Sequence, residues 1–432
     1  MVLAAGLLAG AACDATEPQR PGRPDPAVAA ELRALVVPIT EGFRFDPIIE
    51  LAAERQVVLL GEATHGTDEF YRTRALISRR LVEEHGFDSI VLEADWPAVA
   101  RVDRYIRGEG SDASAGQALA EFQRFAVWMW RNQAFAELVE ELRALNATRA
   151  PADQVRLFGM DLYSPIESGA AVVRFLDLHD PAAARAAERA YTCLVAASSF
   201  QRAANDPSCA EAVAEPLAEV TRLADQPGGF SALQNARVAV NAERYYRLTR
   251  GGSPSSWNHR DRHMVSTLVA IEEELRAARG EVRQIVWAHN SHLGDARATA
   301  MSDRGEVNVG QLARELWDAE VLTVGFTTYT GTVFAAPAWG APGQVYDVRP
   351  GRADSIEGWF HAVGVPAFVL ITDRPGVAAL LPRMLERAIG VIYRPSTELQ
   401  SHYFAANIAA QFDAVIHFDT ARALVPLDRA AR

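Results

Sequence analysis

Short apolar runs recur along the chain, and most of them are continuous rather than alternating with polar residues. Strands that are buried on both faces of a parallel sheet show this pattern, because helices cover them on each side. The pattern therefore predicts seven strands, at residues 56–60, 89–93, 155–161, 283–287, 321–326, 367–371 and 414–418.

Helical patterns separate these runs, which indicates an α/β fold with a parallel-rich central sheet flanked by helices. The third and fourth strands are separated by a long stretch, about residues 165–280, that is rich in alanine and charge. We predict that this stretch is a large helical insertion packing over the site. The other predicted helices are residues 28–37, 69–85 and 135–146, and within the insertion 170–178 and 265–279.

Composition and charge narrow the range of functions. The chain has 432 residues and a net charge of -12, which argues against nucleic acid as a partner, because binding phosphates needs a concentrated positive surface. It contains no lysine. A P-loop lysine, a Schiff-base lysine and a Ser-Lys dyad are therefore excluded.

The first residues resemble an export signal. Residues 1–13 are apolar and end in small residues and Cys13, as in a lipoprotein signal, although the usual basic start is missing. A disordered Pro-rich linker, residues 14–26, would then precede a single α/β domain, 27–432. We expect a lipid anchor at Cys13 in the cell envelope or periplasm, or a cytoplasmic protein if the segment is not a signal. Cys193 and Cys209 then form an even pair, for which a disulfide stays open.

Acidic residues and histidines follow the ends of the first four predicted strands. Ligands bind outside the carboxyl ends of strands in open α/β sheets, so these residues form the candidate site. Each is a weak signal alone, whereas four strand ends together are a stronger one. The residues are Glu62 and His65 after the first strand, Glu93 and Asp161 at the next two ends, and His289 and His292 after the fourth.

The spacing of Glu62 and His65 suits acid-base chemistry. A carboxylate beside an imidazole fixes its tautomer and raises its basicity, so that His65 would take a proton from water. Arg74, on the following helix, would stabilise an oxyanion or orient Glu93. The chain has neither a GxSxG elbow nor an HExxH helix, which leaves water as the nucleophile, and we predict no cofactor.

Several of these segments resemble the erythromycin esterase family in order, spacing and strand context, over roughly residues 40–420. The resemblance implies that His65 is the general base, that Glu62 is its partner, and that Arg74, Glu93, His289 and His292 complete the pocket. It further implies hydrolysis of a small-molecule ester such as a macrolide lactone. The segments are LGEATHGTDEF, VLEAD, FGMD, Asn258–Asp261 with Met264, and WAHNSHLGDAR.

Other interpretations stay open. Asp161 and Arg260 are assigned to substrate binding, but Asp161 would equally cap a turn, and Arg260 would equally pair with Asp261 at a helix start. Trp128 and Trp130 form either an apolar wall for substrate or part of the core. The four residues Glu62, His65, His289 and His292 also suit a metal-dependent hydrolase. A third hypothesis is an envelope binding protein without catalytic activity. The natural substrate is not defined.

Overall fold

The computed structural model describes residues 22–196, 207–249 and 252–429. In these ranges the strands are β1 (Val37–Pro38), β2 (Val57–Leu60), β3 (Ser89–Asp95), β4 (Arg156–Asp161), β5 (Gln284–Trp287), β6 (Val321–Ala335), β7 (Gln344–Val348), β8 (Ala367–Ile371), β9 (Met384–Arg387), β10 (Tyr403–Ala406) and β11 (Ala414–Ala421). The helices of seven or more residues there are α1 (Pro26–Leu35), α2 (Asp46–Ala52), α3 (Asp68–His85), α4 (Trp96–Ile106), α5 (Gln133–Asn146), α6 (Pro165–His179), α7 (Pro181–Ala196), α8 (Pro207–Arg222), α9 (Gly229–Leu248), α10 (Ser255–Arg279), α11 (Val309–Trp317) and α12 (Ile356–Ala362). Shorter helices are Ala115–Ala118, Asn290–Leu293, Ala300–Asp303, Val377–Leu380, Glu398–His402 and Ile408–Gln411.

One central sheet organises the protein. Its strands lie in the order β1-β8-β11-β6-β2-β5-β3-β4, and β7 pairs with the far part of β6. The strands from β11 to β4 run parallel, whereas β8 is antiparallel to β11 and β1 is antiparallel to β8. The α/β class with a parallel-rich sheet flanked by helices, predicted from the sequence, is therefore confirmed.

The buried strands explain the unbroken apolar runs, because both faces of the sheet are covered. On β2, Val58 and Leu60 pack into the core on one face, while Val57 and Leu59 pack into the core on the other. The first core includes side chains of α3 and α5, and the second includes side chains of α10 and α11. Every residue of β2 is consequently apolar.

All seven predicted strands are present, but four others were missed. β1 has two residues, and β7 is largely exposed, so neither has an apolar run. β9 pairs with β10 in a separate hairpin and carries Glu386 and Arg387, both buried. Burial of the Arg387 guanidinium depends on the backbone carbonyls of Thr328 and Tyr329, which are distant in sequence. Local patterns therefore gave no strand signal there.

The segment between β4 and β5 is helical in the described ranges. Helices α6 to α9 pack on one another through their own small apolar core, and α10 returns to the sheet. A disulfide joins Cys193 of α7 to Cys209 of α8, which answers the question that their spacing left open.

Residues 1–21 lie outside the described ranges, so the signal, Cys13 and most of the linker stay predictions. Among the described helices, none is long and apolar enough to span a bilayer.

Candidate functional site

A cavity of about 340 Å³ opens at the carboxyl ends of β2 to β5. Its polar side is lined by His65, Glu93, Asp161, Arg260, His289 and His292. The structure thus brings six of the eight predicted site residues to one cavity. The strand order β2-β5-β3-β4 explains five of them, because it makes four strand ends neighbours although they are distant in sequence. Arg260 reaches the cavity from α10.

Glu62 and His65 form a hydrogen-bonded pair in the turn between β2 and α3. The Nδ1–H of His65 donates to Oε1 of Glu62 at 2.7 Å, and both side chains are almost fully buried. Among the described residues, Nε2 of His65 has no hydrogen-bond partner, and the ring lines the cavity. The geometry therefore leaves the basic Nε2 of His65 available to a molecule bound in the cavity.

Arg74 lies behind this pair rather than in the cavity. Its Nη2 donates to Oε2 of Glu62 at 2.6 Å, and the guanidinium lies 4.6 Å from the ring centroids of Tyr71 and Trp287. The side chain is fully buried and contacts Glu62 instead of Glu93. The two roles predicted for Arg74, oxyanion donor and partner of Glu93, are therefore wrong. Arg74 instead binds the Glu62 carboxylate, which in turn accepts the hydrogen bond from His65.

The environment of His65 favours its protonation. Burial disfavours the imidazolium, but the hydrogen bond and charge of Glu62, with the charge of Glu93, outweigh burial and raise the pKa of His65 above its ordinary value. His65 is consequently a stronger base than a free histidine and is more often protonated in mildly acidic solution.

Arg260 connects the acidic residues on the other side of the cavity. Its Nε and Nη2 donate to Asp161 at 2.9 and 2.7 Å, and Nη2 also donates to Glu93 at 2.7 Å. Burial alone would raise the pKa values of the two carboxyls, but the positive charge of Arg260 helps to lower both. Arg260 does not pair with Asp261, which faces His292, so a local ion pair at the helix start is not what the structure shows.

His292 is fixed from three directions. Arg260 donates to its Nε2 at 2.8 Å, and its Nδ1–H donates to Asp261 at 2.9 Å. The indole of Trp257 stacks on the imidazole with ring centroids 4.4 Å apart and planes 5° apart. Because an arginine can only donate, His292 in this arrangement is the neutral tautomer.

His289 lines the cavity as a neutral ring. The backbone N–H of Ser291 donates to its Nδ1, so the proton of the neutral ring is on Nε2, a buried atom beside the backbone of Ala63 that makes no hydrogen bond of ordinary geometry among the described residues. Burial and the neighbouring His65 lower the pKa of His289 to about 3, which keeps the ring neutral. Its ring centroid is 4.9 Å from that of His65.

Close backbone packing holds the turn that carries His65. A Cβ on Gly66 would lie 2.7 Å from the carbonyl carbon of Phe334 and even closer to its oxygen. The Gly66 carbonyl accepts hydrogen bonds from the backbone of Phe334 and Leu424. Glycine is therefore required here by the approach of two backbones.

We expect Gly66→Ala to destabilise the fold by about 1–3 kcal/mol, the usual cost of overpacking, and to lower activity by displacing His65. Gly116→Ala, on an exposed helical turn with nothing closer than 3.8 Å, is the matched control. Thermal melts of both variants check this, and equal melting temperatures would contradict the packing argument.

The cavity also has an apolar wall. The wall is formed by Phe122, Phe125, Val127, Met129, Trp130 and Trp339. From the sequence, Trp128 and Trp130 could each belong to the cavity wall or to the core. In the structure the two side chains have different positions. Trp130 lines the cavity, whereas Trp128 packs edge-on against Phe334 outside it.

Sequence reasoning missed several residues around the cavity. Trp257 and Trp339 lie in no recognisable motif, and Asp261 was assigned to the wrong partner. Tyr163 lies between the guanidinium groups of Arg124 and Arg260, each 4.8 Å from its ring. Its position two residues after Asp161, at the same strand end, was a signal that could have identified it.

Most of the nitrogen and oxygen atoms that could bind a metal ion are already hydrogen-bonded to other residues of the site. This argues against the hypothesis that they are metal ligands. Both nitrogens of His292 and one of His65 are hydrogen-bonded, and the Glu62 and Glu93 carboxylates each accept from an arginine. In the described ranges, no group of three or more His, Cys, Asp or Glu residues is arranged to hold a metal ion. The geometry thus suits proton transfer better than metal coordination.

Comparison with known proteins gives a consistent family. The family model described as erythromycin esterase matches residues 82–421. The chain is 20% identical to erythromycin esterase type II of Escherichia coli over 416 residues, which cover 87% of this chain and 92% of that protein.

Solved structures share the fold. A succinoglycan biosynthesis protein has a TM-score of 0.75 at 20% identity, covering 92% of this chain and 98% of that one. A protein from Bacillus cereus has a TM-score of 0.75 at 17% identity, covering 93% and 98%. A mutant of the erythromycin esterase EreC in its open conformation has a TM-score of 0.64 at 19% identity, covering 87% and 93%.

Proposed function

Because this chain belongs to the erythromycin esterase family, we propose that it hydrolyses an ester with a water molecule that His65 activates. The observation that carries the proposal is the buried Glu62–His65 pair, whose free Nε2 faces the cavity. The family match supports a hydrolase, and the geometry supports the roles of the individual residues.

In the proposed reaction, water attacks the ester carbonyl while Nε2 of His65 takes its proton. The imidazolium that forms is stabilised by Glu62, which Arg74 holds in place. The protonated His65 then gives the proton to the departing alkoxide, the carbon–oxygen bond breaks, and an acid and an alcohol leave. His65 ends the cycle in its starting state.

The tetrahedral intermediate carries a negative oxygen that needs hydrogen-bond donors. We assign to this oxygen the Nε2–H of His289, a residue that lines the cavity; this N–H lies beside the backbone of Ala63 without a hydrogen bond of ordinary geometry in the described structure. Its low pKa matters, because the neutral ring carries one donor in a fixed direction. Arg260 adds positive charge on the same side of the cavity.

The test is hydrolysis of an ester panel by the full chain, followed by mass spectrometry of the products. The panel runs from aryl acetates to a macrolide lactone, because a cavity of about 340 Å³ is at the small end of the range for drug-sized ligands. The proposal is supported by a lactone product heavier by one water, or by an acid and an alcohol that together account for the ester plus one water. No product from any ester, with the protein folded, would refute it.

Measuring the rate of hydrolysis before and after treatment with a chelator distinguishes the proposal from the metal-dependent alternative. We expect the rate to be unchanged after treatment with a chelator, because the imidazole and carboxylate groups are already paired with one another or with arginine. Loss of the rate and recovery with one divalent metal would favour the alternative.

The pH profile tests the Glu62–His65 pair. His65 works unprotonated, so kcat/KM should fall as the pH drops through its raised pKa. Glu62→Gln removes the charge that raises this pKa, and the acidic limb should move to lower pH while the plateau rate falls. Profiles of the wild type and Glu62→Gln with one ester check this. A limb that stays in place would show that another group controls it.

A further inference from the structure

An exposed tryptophan stands at the mouth of the cavity. Trp339 is 64% exposed, and its ring meets the half-buried Phe125 edge-on with centroids 4.9 Å apart. The loop between β6 and β7 that carries Trp339 is anchored at its start, since Ala336 exchanges backbone hydrogen bonds with Val391 and Tyr393. Large aromatic surfaces are rarely left in water, and at a cavity mouth they are typical of ligand contact.

The apolar wall behind Trp339 is firmly supported. Trp130, which faces the cavity, also packs against Phe135 and Tyr71 in the main core, with centroids 5.1 and 6.2 Å away. Trp128 anchors the same segment against Phe334. The wall thus gives the cavity a preformed apolar surface, which costs little to order when a ligand binds.

The carboxylates in the cavity are already paired with arginine. Asp95 pairs with Arg124 through two hydrogen bonds of 3.0 and 2.9 Å, and Arg260 joins Asp161 and Glu93. These three carboxylates outnumber the two guanidinium groups by one, so an anionic substrate group would meet a net negative lining. The cavity therefore disfavours an anionic substrate.

We propose that the substrate is an ester that carries a flat apolar group and no anionic group, and that Trp339 selects it by stacking on the flat group. The inference rests on the proposed function and adds the class of ester. The reacting carbonyl would lie at His65 and His289 while the flat group lies on the wall.

The test compares two acetates that share an acyl group and differ in the alcohol, naphthyl acetate and ethyl acetate. For Trp339→Ala we expect the KM of naphthyl acetate to rise about tenfold, consistent with the loss of one aromatic contact and its buried surface. The KM of ethyl acetate should change much less than that of naphthyl acetate, and Trp339→Phe should recover part of the loss. Leu316→Ala, an exposed apolar residue that does not line the cavity, is the control.

A binding measurement keeps this inference separate from the hydrolytic one. Calorimetry with N-naphthylacetamide, an amide in place of the ester, measures contact with the wall without turnover. If no ester is hydrolysed, the proposed function fails. In that case, weaker amide binding by Trp339→Ala than by the wild type still supports the role of Trp339 in binding a flat apolar group. If both acetates are hydrolysed and Trp339→Ala affects them equally or not at all, the inference is overturned. Equal amide binding by the wild type and Trp339→Ala would also overturn it.

Discussion

Replacing His65 with alanine should lower kcat for ester hydrolysis by about 10²- to 10⁴-fold, the contribution typical of a positioned general base. The reason is that, in our account, the unpartnered Nε2 of His65 takes the proton of the attacking water. KM should change little, because the apolar wall does not depend on His65. Steady-state kinetics with one aryl ester measure both constants.

The variant should remain folded. Glu62 keeps its bond to the buried Arg74 when the imidazole is gone, so no carboxylate is left unpaired. His65→Gln, which fills more of the space, and His85→Ala, at the far end of α3, are the matched variants. A kcat for His65→Ala within a few-fold of the wild type would remove His65 from the mechanism.

Arg260→Met should be strongly destabilising, by about 3–5 kcal/mol, which is typical when one partner of a buried ion pair is removed. The substitution leaves two buried carboxylates, Asp161 and Glu93, without the guanidinium that joins them. Activity should fall as well, because Arg260 also donates to His292. Urea and thermal unfolding at neutral pH measure the loss of stability.

The pH dependence of this loss identifies its cause. In the wild type, Arg260 helps to lower the pKa values of Asp161 and Glu93, and the resulting stability is present above their unfolded pKa values and lost as the pH falls. The variant lacks this contribution, so its deficit should shrink in acid. Adding Asp161→Asn to Arg260→Met should recover part of the lost stability.

The control for Arg260→Met is Arg383→Met, which breaks an exposed pair with Asp303 and should cost less than about 1 kcal/mol. A deficit for Arg260→Met that is equally small, or that grows in acid, would contradict the electrostatic account.

The sequence predicted the polar half of the site well for a physical reason. Strands covered on both faces are unbroken apolar runs, so their ends are visible, and parallel strands place those ends at one edge. Glu62, His65, His289 and His292 could be grouped in this way from the amino-acid sequence alone. The partners of Arg74 and Asp261 could not be predicted, because these two residues lie on helices whose rotation depends on packing.

The apolar half could not be predicted. Residues 122–130 have no helical or strand period, and Trp339 joins them from a loop far along the chain. Whether a tryptophan faces a cavity or the core depends on its neighbours, as Trp128 and Trp130 show. Local patterns carry no such information.

The most direct test of the central claim is hydrolysis of an ester in isotopically labelled water with the wild type and His65→Ala. Attack by water at the carbonyl places the label in the acid product and leaves the alcohol unlabelled. We predict this distribution for the wild type, and for His65→Ala the same products formed about 10²- to 10⁴-fold more slowly. Label in the alcohol, or labelled acid formed at the wild-type rate by His65→Ala, would contradict the account.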